Sequence, residues 1–218
     1  MKETRATLDI LSDPICPWCY IGKVKLDRAL AQRPDHGFDI TWRPYQLNPD
    51  MPPAGMDRTQ YLETKFGGPE RAQAIYGQIR DTALAAGLNV DFDKIKRTPN
   101  TFDAHRLIRW SHESGHQQAV VEALFIRYFE QGEDIGDRAV LMQVAAEAGM
   151  DRDRLTGLYA QDADREAVAQ EEVSARQRGV TGVPMFILNQ KYALSGAQET
   201  SAWLDVLDRL AAEAAAGP

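Results

Sequence analysis

Cysteine is scarce in this 218-residue chain: there are two, Cys16 and Cys19. Two cysteines cannot staple a secreted disulfide scaffold, and they cannot supply a four-thiolate zinc site. Long apolar runs are missing, and none approaches the ~20 residues that a bilayer-spanning helix needs. An excess of positive charge is missing too. Lys and Arg total 25 against 32 Asp and Glu, a net charge of −7. That balance excludes the broad basic face that nucleic acid or an anionic membrane requires. There is no Gly-rich phosphate loop and no repeat of solenoid period. The start, Met1-Lys2-Glu3-Thr4-Arg5, lacks the apolar stretch and small-residue cleavage site of a secretory signal, which favours the cytoplasm. What the chain has is core-forming material. It is 44% hydrophobic and 26% charged, the composition of one large domain or of one domain carrying an insertion.

Three stretches differ in pattern. Ala6 to Leu11 reads as a short strand, broken by Ser12-Asp13-Pro14. A helical pattern then runs from Pro17 through Ile21, Val24, Leu26 and Leu30 and stops before Pro34, and Phe38 to Tyr45 reads as a second strand. From about Arg58 to Gln177 helical patterns dominate, with breaks at Gly67-Gly68-Pro69, Thr98-Pro99-Asn100, Gly115, Gly132 and Gly149. Four to six helices are expected there, with Leu107, Ile108, Trp110, Val120, Val121, Leu124, Phe125 and Tyr128 as core. The strand signal returns at Val183 to Leu188. It is followed by Asn189-Gln190 as a turn, Lys191 to Ser195 as a partner strand, and a helix from about Thr200 to Ala212. Asn-Gln is a weak hairpin turn, because Gln does not readily take positive φ. The alanine-rich tail from Ala211 is expected to fray.

The order βαβ, helical block, ββα predicts an α/β fold. The outer pieces would share one four-stranded mixed sheet, since neither can bury a sheet face alone. The helical block would be an insertion between them.

Cys-x-x-Cys at a strand-to-helix turn has a specific chemical use. Cys16 would sit at the helix N-terminus, where unpaired N–H groups and the helix dipole favour an anion, and thiolate is the attacking species. Cys19, one turn further in, can displace a mixed disulfide. Pro17 suits the first helical turn, and Trp18 is expected to be exposed as a substrate contact. Zinc needs further ligands. His112 and His116 have the i, i+4 spacing but lie more than ninety residues beyond Cys19. The chain is therefore read as metal-free. Asp13, three residues before Cys16, could relay protons near Cys19 if buried, or serve only as a turn acid or helix N-terminal charge.

Three blocks carry a family resemblance: Ser12 to Gly22 (SDPICPWCYIG), Asn100-Thr101 with Ala104-His105-Arg106-Leu107, and Gly179 to Phe186 (GVTGVPMF). Their order and spacing resemble DsbA-like proteins of the FrnE type, with relatives among kappa-class glutathione transferases and 2-hydroxychromene-2-carboxylate isomerases. The resemblance implies a thioredoxin-like fold, with residues 1–50 and 180–218 as the thioredoxin-like domain and 51–179 as an inserted helical domain. It implies that Pro184 is a cis-proline facing the dithiol, and that Val183 offers its backbone to an extended substrate. Asn100 and His105 match the family pattern. A protonated His105 facing the dithiol would favour the Cys16 thiolate, whereas the plainer reading is a structural histidine. The expected activity is thiol–disulfide exchange, with protein dithiols and disulfides or glutathione as partners, in a monomer or homodimer. The alternative is a glutathione-dependent transferase or isomerase. The relatives named for it resemble this chain but carry serine at the position of Cys16, and Ser195-Gly196-Ala197-Gln198 would be the loop holding the tripeptide.

Overall fold

The computed structural model describes residues 6–216. The charged start Met1–Arg5 and the end of the tail, Gly217-Pro218, lie outside them. In chain order, β1 (Ala6–Ser12), α1 (Pro17–Gln32) and β2 (Phe38–Pro44) come first. They are followed by β3 (Met56–Asp57), α2 (Arg58–Phe66), α3 (Pro69–Ala85) and β4 (Arg97–Thr98). Next are α4 (Phe102–Glu113), α5 (Gln117–Ile126), a five-residue π-turn (Arg127–Gln131), α6 (Arg138–Glu147), α7 (Arg152–Ala160) and α8 (Arg165–Gln177). The chain closes with β5 (Met185–Leu188), β6 (Tyr192–Ser195) and α9 (Thr200–Ala216).

β1, β2, β5 and β6 form one sheet in the order β2-β1-β5-β6. β1 is parallel to β2 and antiparallel to β5, and β5 is antiparallel to β6, so the sheet is mixed as expected. Period-two alternation sorts the side chains. Leu8 and Ile10 of β1 and Phe186 and Leu188 of β5 join Leu26 of α1 and Trp203 and Leu207 of α9 in the main core. Phe186 meets the Trp203 ring edge-on, with centroids 4.8 Å apart. On the opposite face Leu11, Met185 and Ile187 pack with Tyr45, Ala175 and Val180.

The helical block contains seven α-helices, not four to six. The extra break separates α7 from α8 at Asp162-Ala163-Asp164, where the two aspartates take φ of 52° and 57°. Aspartate tolerates the left-handed region better than most residues, so no glycine marks this break. The two-residue ladder of β3 with β4 is also unanticipated, being too short to carry a periodic pattern. Leu107, Val120, Leu124, Phe125 and Tyr128 share one continuous core with Leu8, Ile10, Cys16 and Cys19. The helical block thus shares the core of the sheet and forms a wall of the molecule that carries the dithiol.

The β5–β6 turn needs positive φ at both central residues, and Asn189 (51°) and Gln190 (56°) supply it. Asn189 offsets the strain by anchoring to β1: its Oδ1 accepts from Thr7 N–H and its N–H donates to Thr7 O, both at 2.9 Å. Gln190 has no such anchor among the described residues. Gln190→Gly is therefore expected to stabilise the chain by about 1 kcal/mol, raising Tm by roughly 2–4 °C in a thermal melt. An unchanged or lowered Tm would count against the assigned strain.

Candidate active site

β1 ends at Ser12, and Asp13-Pro14-Ile15 turns the chain into α1. Cys16 is the N-cap in extended conformation (φ −90°, ψ 113°), and Pro17 follows at the start of the helix. The Cys16 N–H donates to Asp13 O at 2.9 Å, and the Cys16 carbonyl accepts from the Cys19 N–H at 3.0 Å. Both thiols are reduced, and the Cys16 sulfur is close enough to Cys19 to push its thiol up. Cys16 is 3% exposed and Cys19 1%, whereas Trp18 between them is 40% exposed. The dithiol is therefore largely buried, with the exposed Trp18 beside it.

The Val183–Pro184 peptide bond is cis. The Cys16 thiol lies 3.5 Å from the Val183 carbonyl oxygen, to which it donates. Gly22, one turn beyond Cys19, admits this approach. A Cβ there would lie 3.3 Å from Pro184 Cγ and 3.4 Å from Ala197 Cα. The loop after β6 folds back on the same residue, with the Gly196 N–H donating to Pro184 O at 2.9 Å. Cys16, Cys19, Val183, Pro184 and the Ser195–Gln198 loop thus converge, although 167 residues separate Cys16 from Val183.

Beneath the turn lies a buried polar layer. Asp13 is fully buried. Its carboxylate oxygens accept from Leu47 N–H at 2.6 Å and Ile15 N–H at 3.4 Å, and the Thr101 hydroxyl also bonds it. Burial dominates these bonds and raises the carboxyl to about 7. Burial and the neighbouring Cys16 push the Cys19 thiol well above its usual range, a rise that the Asp13 backbone and the Ser12 side chain oppose.

The reading of His105 as a protonated partner of the Cys16 thiolate is corrected here. His105 is buried on α4, and loss of solvent lowers its ring to about 3, so it stays neutral. Its Nε2 faces Asp13 Oδ1 at 3.8 Å and has no hydrogen-bond partner. Asn100 lies in the same layer in a structural role. Its Oδ1 accepts from the Phe102 N–H at 2.9 Å at the start of α4, and its amide donates to Met51 O at 2.6 Å. Sequence patterning missed Gln46 and Glu172, which close this layer: Glu172 accepts from the Gln46 N–H at 3.1 Å. Their segments are far apart in the chain, and single polar residues on amphipathic elements carry no signal of burial. Among the described residues no group of three His, Cys, Asp or Glu side chains is placed to hold a metal ion.

Residues 7–208 match the model of the DSBA-like thioredoxin domain. The chain belongs to that family. A curated relative, the uncharacterised YwbO of Bacillus subtilis, is 25% identical over 187 residues, covering 83% of this chain and 86% of its own. The solved structure of a probable DsbA oxidoreductase, SCO1869 of Streptomyces coelicolor, is 31% identical with a TM-score of 0.84, covering 96% of this chain and 91% of its own. The cytosolic disulfide reductase DsbM of Pseudomonas aeruginosa, solved with GSH, shares the fold. Its TM-score is 0.60 at 20% identity, over 95% of this chain and all of DsbM. In this DSBA-like chain the CxxC pair occupies the start of α1, and no described helix is long and apolar enough to cross a membrane.

The raised Asp13 carboxyl makes stability depend on pH. The folded state holds this proton more tightly than the unfolded chain, so the native state is disfavoured progressively from about pH 4 to about pH 7. Asn cannot ionise. The Tm difference between Asp13→Asn and the parent should therefore shift in favour of the variant as pH rises from 4.5 to 7.5. The change is bounded by about 4 kcal/mol. A difference that stays constant across that range would show that Asp13 is ionised throughout.

Proposed function

We propose that this protein is a thiol–disulfide oxidoreductase of the DsbA/FrnE type, working through a mixed disulfide. The observation that carries this reading is the Cys16–Cys19 pair. A reduced Cys16–Cys19 pair sits at a helix start, with the Cys16 thiol donating to the Val183 carbonyl, in a chain of the DSBA-like family.

In the reducing direction the Cys16 thiolate attacks one sulfur of a substrate disulfide. A Cys16–substrate disulfide forms, and the other half leaves as a thiolate that takes a proton from solvent. Cys19 then gives up its proton and attacks the Cys16 sulfur. The Cys16–Cys19 disulfide forms, the second substrate thiol leaves, and the substrate has gained two electrons. An external dithiol, or two small thiols of the glutathione kind, returns those electrons. The reverse sequence oxidises a substrate dithiol. The second step needs a proton acceptor, because burial disfavours a Cys19 thiolate. Asp13 suits that role, since it lies buried in the same turn and its proton affinity lies in the neutral range. Val183, Pro184, Pro17 and Trp18 would line the bound substrate.

Cys16→Ser should abolish reduction of insulin disulfides. Cys19→Ser should accumulate a mixed disulfide with insulin or with oxidised glutathione, visible as the added mass of the substrate half. Full activity in Cys16→Ser would overturn the assignment. Equal activity of Cys19→Ser and the parent, with no adduct, would exclude Cys19 as the resolving thiol.

A further inference from the structure

A cavity of about 160 Å³ lies between α4 and β2. His105, Arg109, His112 and Glu113 line it from α4, with Thr41 and Trp42 of β2 opposite. The four α4 residues stand at i, i+4, i+7 and i+8, which is one face of a helix. At 1.5 Å per residue, that face spans about 12 Å. His112 and Glu113 at one end are exposed, and His105 at the other is buried. The cavity therefore leads from solvent to His105. Both arginines on its walls are already engaged: Arg109 pairs with Glu171 and Asp164, and Arg43 pairs with Asp9. Neither is free for an anionic ligand, but the polar walls and the volume suit a short chain of waters.

Behind His105 lies Asp13. The His105 Nε2 faces Asp13 Oδ1 at 3.8 Å, about 1 Å beyond a hydrogen bond, and is otherwise unpartnered. Leaving a buried ring nitrogen unpaired is costly. The other groups around Asp13 give its proton no way out. Leu47 and Ile15 present backbone N–H groups, the Thr101 hydroxyl leads on to buried Gln46, and Glu172 of α8 acts through its charge. His105 thus stands between the buried carboxyl and the cavity.

We propose that His105 and this cavity form the route by which Asp13 exchanges its proton with solvent, so that His105 acts through Asp13 and not on the sulfurs. The purpose of the route rests on the reading of Asp13 as acceptor of the Cys19 proton. When Cys19 attacks the mixed disulfide, its proton passes to Asp13. Asp13 gives a proton to His105 Nε2 while the other ring nitrogen, Nδ1, releases one to water in the cavity. The ring changes tautomer and stays neutral, in keeping with surroundings that disfavour the imidazolium. Reduction of the Cys16–Cys19 disulfide runs the path inward. Water protonates Nδ1, Nε2 returns a proton to Asp13, and Asp13 protonates the Cys19 thiolate. One proton leaves and one enters per cycle, so the starting tautomer is restored.

The test follows Asp13 directly. Its protonated carboxyl has an infrared band, identified by its absence in Asp13→Asn, and the decay of that band is timed after a pH jump across neutrality. Gln at position 105 keeps a hydrogen-bonding side chain but cannot pass a proton through a ring. The decay should be at least about tenfold slower in His105→Gln and in His105→Ala than in the parent. Imidazole added to His105→Ala should restore the rate. Pyrrole, a ring of the same shape without a basic nitrogen, should not. An unchanged rate in His105→Gln would overturn the proposal, as would rescue by pyrrole or a carboxyl band that does not respond to pH. Should His105→Ala fail to fold, the His105→Gln rate decides alone. Insulin reduction by Asp13→Asn keeps the two readings apart. Turnover equal to the parent's would remove Asp13 from the exchange step, whereas the infrared rates judge the route by themselves.

Discussion

The contact between the Cys16 thiol and the Val183 carbonyl holds the site together. Cys16 comes from the first strand–helix turn and Val183 from the segment that re-enters the sheet 167 residues later. Neither half of the sheet makes a reactive centre alone. The turn supplies two sulfurs at a helix start, and the returning segment supplies a backbone edge beside them. Gly22 is the steric condition for this meeting, because any larger side chain would press on Pro184 and Ala197.

A second constraint lies under the turn. Asp13 and His105 are both excluded from water, and each disfavours its charged form. Near neutrality the layer can gain or lose a proton at Asp13 without His105 compensating. The βα turn and α4 are thereby linked through a group whose charge is poorly solvated. Nearby Glu172 adds to the pressure on Asp13, while backbone N–H groups oppose it. The result is an acid–base group in the neutral range below a thiol that cannot easily ionise by itself.

Much of this was legible in the sequence. The dithiol, the strand–turn–helix that carries it and the returning hairpin follow from local signals: proline and glycine punctuation, alternation, and one unmistakable cysteine spacing. The boundaries held to within two residues for most strands. Two things escaped. The break between α7 and α8 uses aspartates in a left-handed conformation, which composition does not reveal. The buried polar layer arises from residues dispersed over the turn after β1, the loop after β2, α4 with the residues before it, and α8. Each member read alone looks like a solvated polar side chain, and burial emerges only when the elements pack. His105 shows the same limit. A motif match placed it near the dithiol, but its charge state followed from desolvation, which sequence spacing does not encode.

The central pairing of β1 with β5 also bears on how the chain assembles. After β2 is complete, about 140 residues separate Pro44 from Met185, and only then can the middle of the sheet close. At synthesis rates of about 5–20 residues per second, β1 waits roughly 7–28 s with one edge unpaired. Throughout that interval the two cysteines have been synthesised while their opposing backbone has not. Nascent molecules therefore carry two thiols before they carry the wall that covers them, and the order of translation itself sets a window for unintended pairing with other chains.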